Sequence, residues 1–367
     1  MFGARCAPGR RYRSVAVALI VGLALRAAPA ATPEGIYAVS QVDQASYEHI
    51  HGDLLFTHTG DNRGYGAEHD LARNNIQSSF ISFGLVTSLQ GFPYNSTTYY
   101  NVVGEFVGTT RPSDVYIVGA HYDSVGNPGA DDNASGTAAV MELARLIAQW
   151  RSAATIRFIA FDREEQGLLG SSAYAYEHAG EHILGMVSLD MLAYRATQHS
   201  RARLYGRSPL SDAVKTGLAG ALADYVGITA ADYGQLDASD HAPFEWNGFP
   251  AALLIEDDVW ANPYYHRPTD ALETAGNIDY VYAVTLTRGT MGWLVDAAGV
   301  APSHPRGDAN CDYLVDFDDI NPFVLALVSE AAYTARYPDC PYLTADCNHD
   351  GAVDFDDINP FVALLTR

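Results

Sequence analysis

YIVGAHYDSVGNPGADDNASGTAAVMELARLIAQWRSAATIRFIAFDREEQGLLGSSAY, running from Tyr116 to Tyr174, is the stretch whose reading decides the fold. Short apolar runs at Val115–Val118 and Ile156–Phe161 are rich in β-branched and aromatic residues, which suits buried parallel strands. Between them, the run from about Gly136 to Trp150 has helical spacing. Strand, helix and strand in this order predict an open α/β sheet, in which ligands bind beyond the carboxyl ends of the strands. At those ends stand His121, Asp123, Asp131, Asp132, Glu164 and Glu165.

An imidazole and several carboxylates in one crevice repel each other unless a cation lies among them. Histidine nitrogen with carboxylate oxygen is a ligand set that zinc accepts, and a catalytic zinc keeps one position open for water. Two adjacent zincs can share a bridging carboxylate. Cobalt or manganese would suit the same donors almost as well. In Glu164-Glu165 the neighbouring side chains point different ways, so one can bind metal while the other stays free as a general base. Any one of these residues alone reads as an ordinary surface group; the set, at strand ends within one βαβ unit, reads as a site.

HYDS at His121–Ser124, PGADDNASG at Pro128–Gly136 and EEQGLLGS at Glu164–Ser171 resemble the M28 family of zinc peptidases, of the aminopeptidase type. SLDMLAY at Ser188–Tyr194, SDHAPFEWNGFPAALL at Ser239–Leu254 and NPYYHRPTD at Asn262–Asp270 fit the same family in the same order. The resemblance covers roughly residues 99 to 298. It implies a mixed, mostly parallel central sheet flanked by helices, and two Zn2+ ions. His121 and Asp190 resemble the terminal ligands of one zinc, and Glu165 and His266 those of the other. Asp132 resembles the bridging aspartate and Glu164 the general base. Asp123 resembles the carboxylate that orients His121 through its other ring nitrogen. Asp131 is a neighbour rather than a ligand in this register, and His241 lies beside the site, supporting the fold.

The implied activity is removal of N-terminal residues from peptides with a free N-terminus. A glutaminyl cyclase or carboxypeptidase-like member of the same fold is the alternative, as is a non-catalytic binding protein. One departure concerns the loop before Ser239, where some secreted members carry a disulfide and a tyrosine. The matched positions are Gly234, Leu236 and Ala238, which leaves Tyr233 as the phenol in question.

Outside this region the chain divides readily. Arg5, Arg10, Arg11 and Arg13, the apolar Val15–Leu25 and Ala28-Pro29-Ala30 read as a secretory signal peptide over residues 1–30, so a secreted or cell-surface protein is expected, with no membrane span after cleavage. The net charge of -22 over 367 residues disfavours nucleic acid and anionic membranes as partners. There is no Walker-type glycine loop and no G-x-S-x-G elbow. A monomer is expected.

The peptidase-like region is assigned to 31–300. Helical spacing marks 43–57 and 68–83, with a loop at Asp61–Gly66, and His51, His58 and His69 read as surface or packing residues. Asn95-Ser96-Thr97 is a glycosylation sequon by pattern. Further strands are expected over 99–107, 186–189 and 249–256, a turn over 109–113, and helices over 170–178, 208–226 and 281–298.

A linker is placed at 301–306, and the remainder, 307–367, is a repeat. GDANCDYLVDFDDINPFVLAL at Gly307–Leu327 recurs as ADCNHDGAVDFDDINPFVALL at Ala345–Leu365. Oxygen-bearing side chains recur at loop positions one, three, five, nine and twelve. They are Asp308, Asn310, Asp312, Asp316 and Asp319 in the first copy, and Asp346, Asn348, Asp350, Asp354 and Asp357 in the second. This is the spacing of an EF-hand-type calcium loop, with Asp in place of the twelfth-position Glu, and a helix follows each. Two Ca2+ ions and a small all-α domain are expected. The pair resembles a type I dockerin domain, which implies a cohesin-type protein partner. Position six is Tyr313 in the first copy, where such loops favour glycine. Cys311, Cys340 and Cys347 lie in this tail, and one disulfide with one free thiol is expected, the pairing left open.

Overall fold

The computed structural model describes residues 31–56 and 62–366, so the leader assigned to 1–30 and His58 lie outside the described residues. The strands are β1 (Val86–Tyr94), β2 (Thr97–Phe106), β3 (Arg111–His121), β4 (Arg151–Ser152), β5 (Ala154–Phe161), β6 (Ile183–Leu189), β7 (Arg201–Tyr205), β8 (Thr229–Asp232), β9 (Ala251–Glu256) and β10 (Val300–Ala301). The α-helices are α1 (Pro33–Ser40), α2 (Gln44–His49), α3 (Ala67–Phe83), α4 (Ala134–Ile147), α5 (Leu169–Glu177), α6 (Asp212–Val226), α7 (His241–Trp246), α8 (Tyr280–Ala298), α9 (Ile320–Val328), α10 (Glu330–Arg336) and α11 (Ile358–Leu364).

Among the described residues, eight strands form one sheet in the order β1-β2-β5-β3-β6-β9-β7-β8. β5, β3, β6 and β9 are mutually parallel, and β1, β2 and β7 run antiparallel to their inner neighbours. The four parallel strands are buried on both faces, which is why they read as continuous apolar runs. α4 crosses over between β3 and β5 and is buried along nearly its whole length. Val118, Leu143, Ile156, Phe158, Val187 and Leu254 join the same core from sheet and helix.

β1 and β2 form a hairpin whose two-residue turn is Asn95-Ser96, both with positive φ, so the sequon sits at a hairpin tip. Three sequence expectations shift. The helix expected over 43–57 is α2 followed by a single π-helical turn at Ile50–Leu54. The turn expected over 109–113 is shorter, because β3 already begins at Arg111. The segment placed as a linker begins in a strand: Ala301, after Val300, pairs with Arg151 as Val300 does with Ser152.

Beyond β10 a small all-α unit has its own core. Phe323 and Phe361 stack at 4.1 Å, and the buried Tyr333 hydroxyl donates to Ala309 O at 2.9 Å. Cys311 and Cys340 form the disulfide, and Cys347 is free and buried. No helix among the described residues is long and apolar enough to cross a membrane.

Candidate metal centres

Parallel strands that end on one edge of the sheet bring the candidate ligands together. His121 is the last residue of β3, Asp190 follows β6, and Glu164 and Glu165 follow β5. Asp132 stands at the entrance to α4, where the Asn133 side chain caps the helix by accepting the Gly136 N–H at 3.0 Å. His266 comes from the long loop after β9, its backbone in the left-handed region.

Asp132 is central. Its Oδ1 lies 3.4 Å from His121 Nε2, and its Oδ2 lies 3.1 Å from His266 Nε2. On the His121 side are Asp190 Oδ1 at 3.6 Å and Glu164 Oε2 at 3.9 Å. On the other side Glu165 Oε2 is 3.2 Å from His266 Nε2. Two overlapping groups, His121 with Asp132 and Glu165, and His121 with Glu164 and Asp190, each place their ligand atoms within 4.8 Å of one another.

The proton affinities show a cluster short of positive charge. Burial alone would lower His121, but the charges of Glu164 and Asp190 and the nearby carboxylates of Asp123 and Asp132 drive it well above its usual value. Hydrogen bonds to Asp132 and Glu165 raise His266 to about 10. Burial holds Glu164 well above the carboxylate range, with His121 opposing, and raises Glu165 to about 7. Burial acts on Asp132 too, but the two imidazoles outweigh it and hold this carboxyl low. Protons thus fill a role that divalent cations among the same atoms would take over, leaving the imidazoles neutral as ligands. Two buried oxygens, Glu165 Oε1 and Asp123 Oδ2, have no hydrogen-bond partner among the described residues. The donor set and these free oxygens fit a pair of zinc ions.

Supporting residues fix the ligands. Ser239 Oγ donates to Asp190 Oδ2 at 2.6 Å, which leaves Oδ1 facing the cluster. The Asp270 carboxylate accepts the main-chain N–H groups of Asp131 at 2.8 Å and Asp132 at 3.0 Å, and Asn277 holds it at 2.9 Å. His51 Nε2 pairs with Ala130 O at 2.7 Å and Nδ1 with the Tyr280 hydroxyl at 3.0 Å, so this histidine braces the same loop from behind. His69 is also interior, 2.8 Å from Asp162 Oδ1. Both are packing residues, not surface ones. Asp131 turns away from the cluster and accepts the Ala193 N–H at 2.9 Å and Asn262 Nδ2 at 3.0 Å. His241 is buried at the start of α7.

Asp123 differs in detail from its expected role. His121 Nδ1 is closest to the main-chain carbonyl of Asp123, at 3.1 Å, with the carboxylate at 3.6 Å. That carboxylate accepts the Glu164 N–H instead. Tyr233 does not reach in: its half-exposed ring lies tilted against Tyr205 at 5.8 Å and carries Arg203 at 4.5 Å. The phenol at the site is Tyr265, stacked on His266 at 3.9 Å. Burial and the charges of Asp132, Asp190, Glu165 and Glu164 raise its pKa. Its signal in the sequence was adjacency to His266.

The two loops of the C-terminal unit are near copies. Asn310 N–H and Asp316 N–H donate to the two oxygens of Asp319, both at 2.9 Å, as Asn348 and Asp354 donate to Asp357. Asp308 and Asp346 each accept from the residues at positions five and six. Asp308, Asp319, Asp346 and Asp357 are all buried. Asp312, Asp316, Asp350 and Asp354 are each hydrogen-bonded to the backbone two residues on. These oxygen-only sets, in a segment with 12 acidic residues against 3 arginines from 305 to 367, fit calcium.

The model of peptidase family M28 matches residues 101–286. Aminopeptidase YwaD of Bacillus subtilis (strain 168) is 35% identical over 189 residues, covering 49% of this chain and 41% of that protein. The chain spans about half the length of the curated relatives it matches. Among solved structures, an aminopeptidase from Aneurinibacillus sp. strain AM-1 superposes with a TM-score of 0.62 over 73% of this chain and 97% of that one; at 19% identity the likeness is one of fold. A zinc aminopeptidase from Bacillus subtilis gives a TM-score of 0.50 at 30% identity, over 56% of this chain and 51% of that one.

Proposed function

The chain belongs to peptidase family M28, and from that membership we propose that it is a zinc aminopeptidase taking peptides with a free N-terminus. The observation that carries the reading is Asp132, with one oxygen toward His121 and the other toward His266, beside an uncommitted Glu164. In this reading His121 and Asp190 would hold one zinc, Glu165 and His266 the other, and Asp132 would be shared between them. Zinc bound there would supply Lewis acidity toward the scissile carbonyl and acidify water. Glu164 takes the proton of the attacking water and returns it to the departing amine. Burial keeps Glu164 proton-hungry, which suits that exchange. The Tyr265 phenol stands ready as a donor to the developing oxyanion, a role Tyr233 cannot fill.

The tail reads as a dockerin-like module binding two calcium ions and a cohesin-type protein, and the protein as an exported monomer. The duplicated hydrogen-bond pattern of the two loops supports the calcium assignment. The test is hydrolysis of a leucine chromogenic amide, free or N-acetylated, with chelator and zinc add-back. Cleavage of the free amine alone, lost to chelator and restored by zinc, is the expected result. Cleavage of the blocked amide would replace the reading with an endopeptidase or amidase.

A further inference from the structure

The C-terminal module is joined to the peptidase domain by more than a tether. After the β10–β4 pairing fixes the exit of the chain, the His304 ring stacks on Tyr313 at 4.1 Å. Tyr313 stacks in turn on Tyr37 of α1 at 5.4 Å. One ring comes from the connecting segment, one from the first oxygen-rich loop and one from the peptidase domain. Tyr313 is only 8% exposed, and its hydroxyl donates to Pro302 O at 3.4 Å.

The pile of rings ends on a candidate calcium ligand. His304 Nδ1 lies 2.9 Å from Asp308 Oδ2, the same oxygen that accepts the Tyr313 N–H at 3.0 Å. The second loop has no ring stack; its first carboxylate, Asp346, is met instead by Arg306 of the connecting segment at 3.2 Å. Gly351 occupies the position of Tyr313, at φ 91°, with open space where a side chain would begin. Tyr313 holds the same left-handed backbone, at φ 69°, which disfavours a residue with a Cβ. The ring it projects closes a stack between the connecting segment and α1.

We propose that Tyr37, Tyr313 and His304 make the first loop one face of a joint, so that docking of the module and calcium binding in that loop stabilise each other, while the second loop lies outside the stack. The proposal rests on the calcium reading of the two loops. Its physical basis is preorganisation: docking fixes the backbone and the first carboxylate of the loop before the cation arrives. Linkage then requires the cation to favour docking by the same factor.

The test uses the full chain and the variants Tyr37→Ala and Tyr37→Phe. Tyr37 lies outside both loops and outside the zinc cluster, so its removal takes away the docking face and no ligand. Calcium binding is followed by calorimetry and overall dimensions by small-angle X-ray scattering, each in calcium and in chelator. In Tyr37→Ala one of the two calcium affinities should fall roughly three- to tenfold, the scale of a lost aromatic pair. The other should hold within about twofold, the particle should extend in chelator, and Tyr37→Phe should match the wild type. Unchanged affinities and scattering in Tyr37→Ala overturn the joint, and so does an equal loss at both loops. If the wild-type chain binds no calcium, the loop reading and the coupling fall together. The scattering of Tyr37→Ala then decides the joint alone: extension keeps it, and no change removes it.

Discussion

The main-chain N–H of Glu164 donates to Asp123 Oδ1 at 3.1 Å. The loop after β3, which carries His121, is thereby tied to the loop after β5, which carries the candidate base. The tie goes through the Glu164 backbone, so the Glu164 carboxylate stays free to move a proton. Glu164→Gln should therefore keep its zinc and its KM while kcat falls by roughly 10²- to 10⁴-fold. Metal analysis beside steady-state kinetics checks this; near-normal kcat would remove Glu164 from the role of base.

Asp123 has two tasks that substitution can separate. Its carbonyl faces His121 Nδ1, and every variant keeps that group. Its carboxylate serves Glu164, and Asp123→Asn keeps an acceptor there whereas Asp123→Ala does not. Asp123→Ala should lose about 10- to 100-fold in kcat or zinc affinity, and Asp123→Asn markedly less. Equal losses in the two variants would mean that charge, not the hydrogen bond to Glu164, is what matters.

Asp270 accepts two consecutive N–H groups in the loop that presents Asp132. Asp270→Ala leaves both donors buried and unpaired, at about 1–3 kcal/mol for each. The urea midpoint of the metal-free protein should drop, and zinc should bind more weakly because Asp132 is no longer held. A variant with wild-type stability and zinc affinity would show that the loop holds its shape without this carboxylate.

How much of this was legible in the sequence follows from how local each signal is. β3, β5, β6 and the ligands at their ends were readable because an inner parallel strand is a continuous apolar run that stops at a polar loop. β1, β7 and β8 were not: they lie toward the two ends of the sheet, they are short or largely exposed, and they carry no such run. The ligand His266 was readable through its motif, but the work of Asp270, four residues on, was not, because its partners lie about 140 positions away. His51 was readable only as a surface or packing residue for the same reason, whereas Tyr265 stands next to His266 and its signal was local. The pairing of Cys311 with Cys340 depends on how α10 folds back on the first loop, which spacing alone does not encode.

Acid should weaken the fold through His51. Burial pushes this imidazole down to about 4, Arg63 adds to the effect and the contact with Ala130 O opposes it. An unfolded chain takes up the same proton near pH 6.5. Between those values the unfolded state binds more protons, so stability falls as pH falls from about 6.5 toward 4. His241, lowered to about 4 chiefly by burial, adds to the same limb. Glu165, raised by burial, has the opposite sign, so the informative quantity is the difference between wild type and His51→Gln. The variant should be less stable at pH 7 but lose less on going to pH 4.5, the gap narrowing by about 2 kcal/mol in urea titrations. A gap independent of pH would show that His51 titrates normally in the folded chain.

Cys347 offers a readout of the second loop. The thiol is buried next to Asp346, and burial with the charges of Asp357 and Asp346 pushes it up to about 12, so alkylation in the folded module should be slow. The first loop is tied down by the Cys311–Cys340 disulfide and by the Tyr313 stack, whereas the second has the Arg306–Asp346 ion pair at 3.2 Å and open space beside Gly351. In the proposed calcium reading, withdrawal of the ion would leave uncompensated carboxylates in both loops, and the loop with fewer other restraints would open first. Iodoacetamide labelling of Cys347 at pH 8 should therefore accelerate by about tenfold or more when a calcium-selective chelator is added, and slow again when calcium is restored. Amide exchange over residues 346–357 should rise before exchange over residues 308–319. Labelling at one rate with and without calcium would mean that the second loop does not depend on the ion.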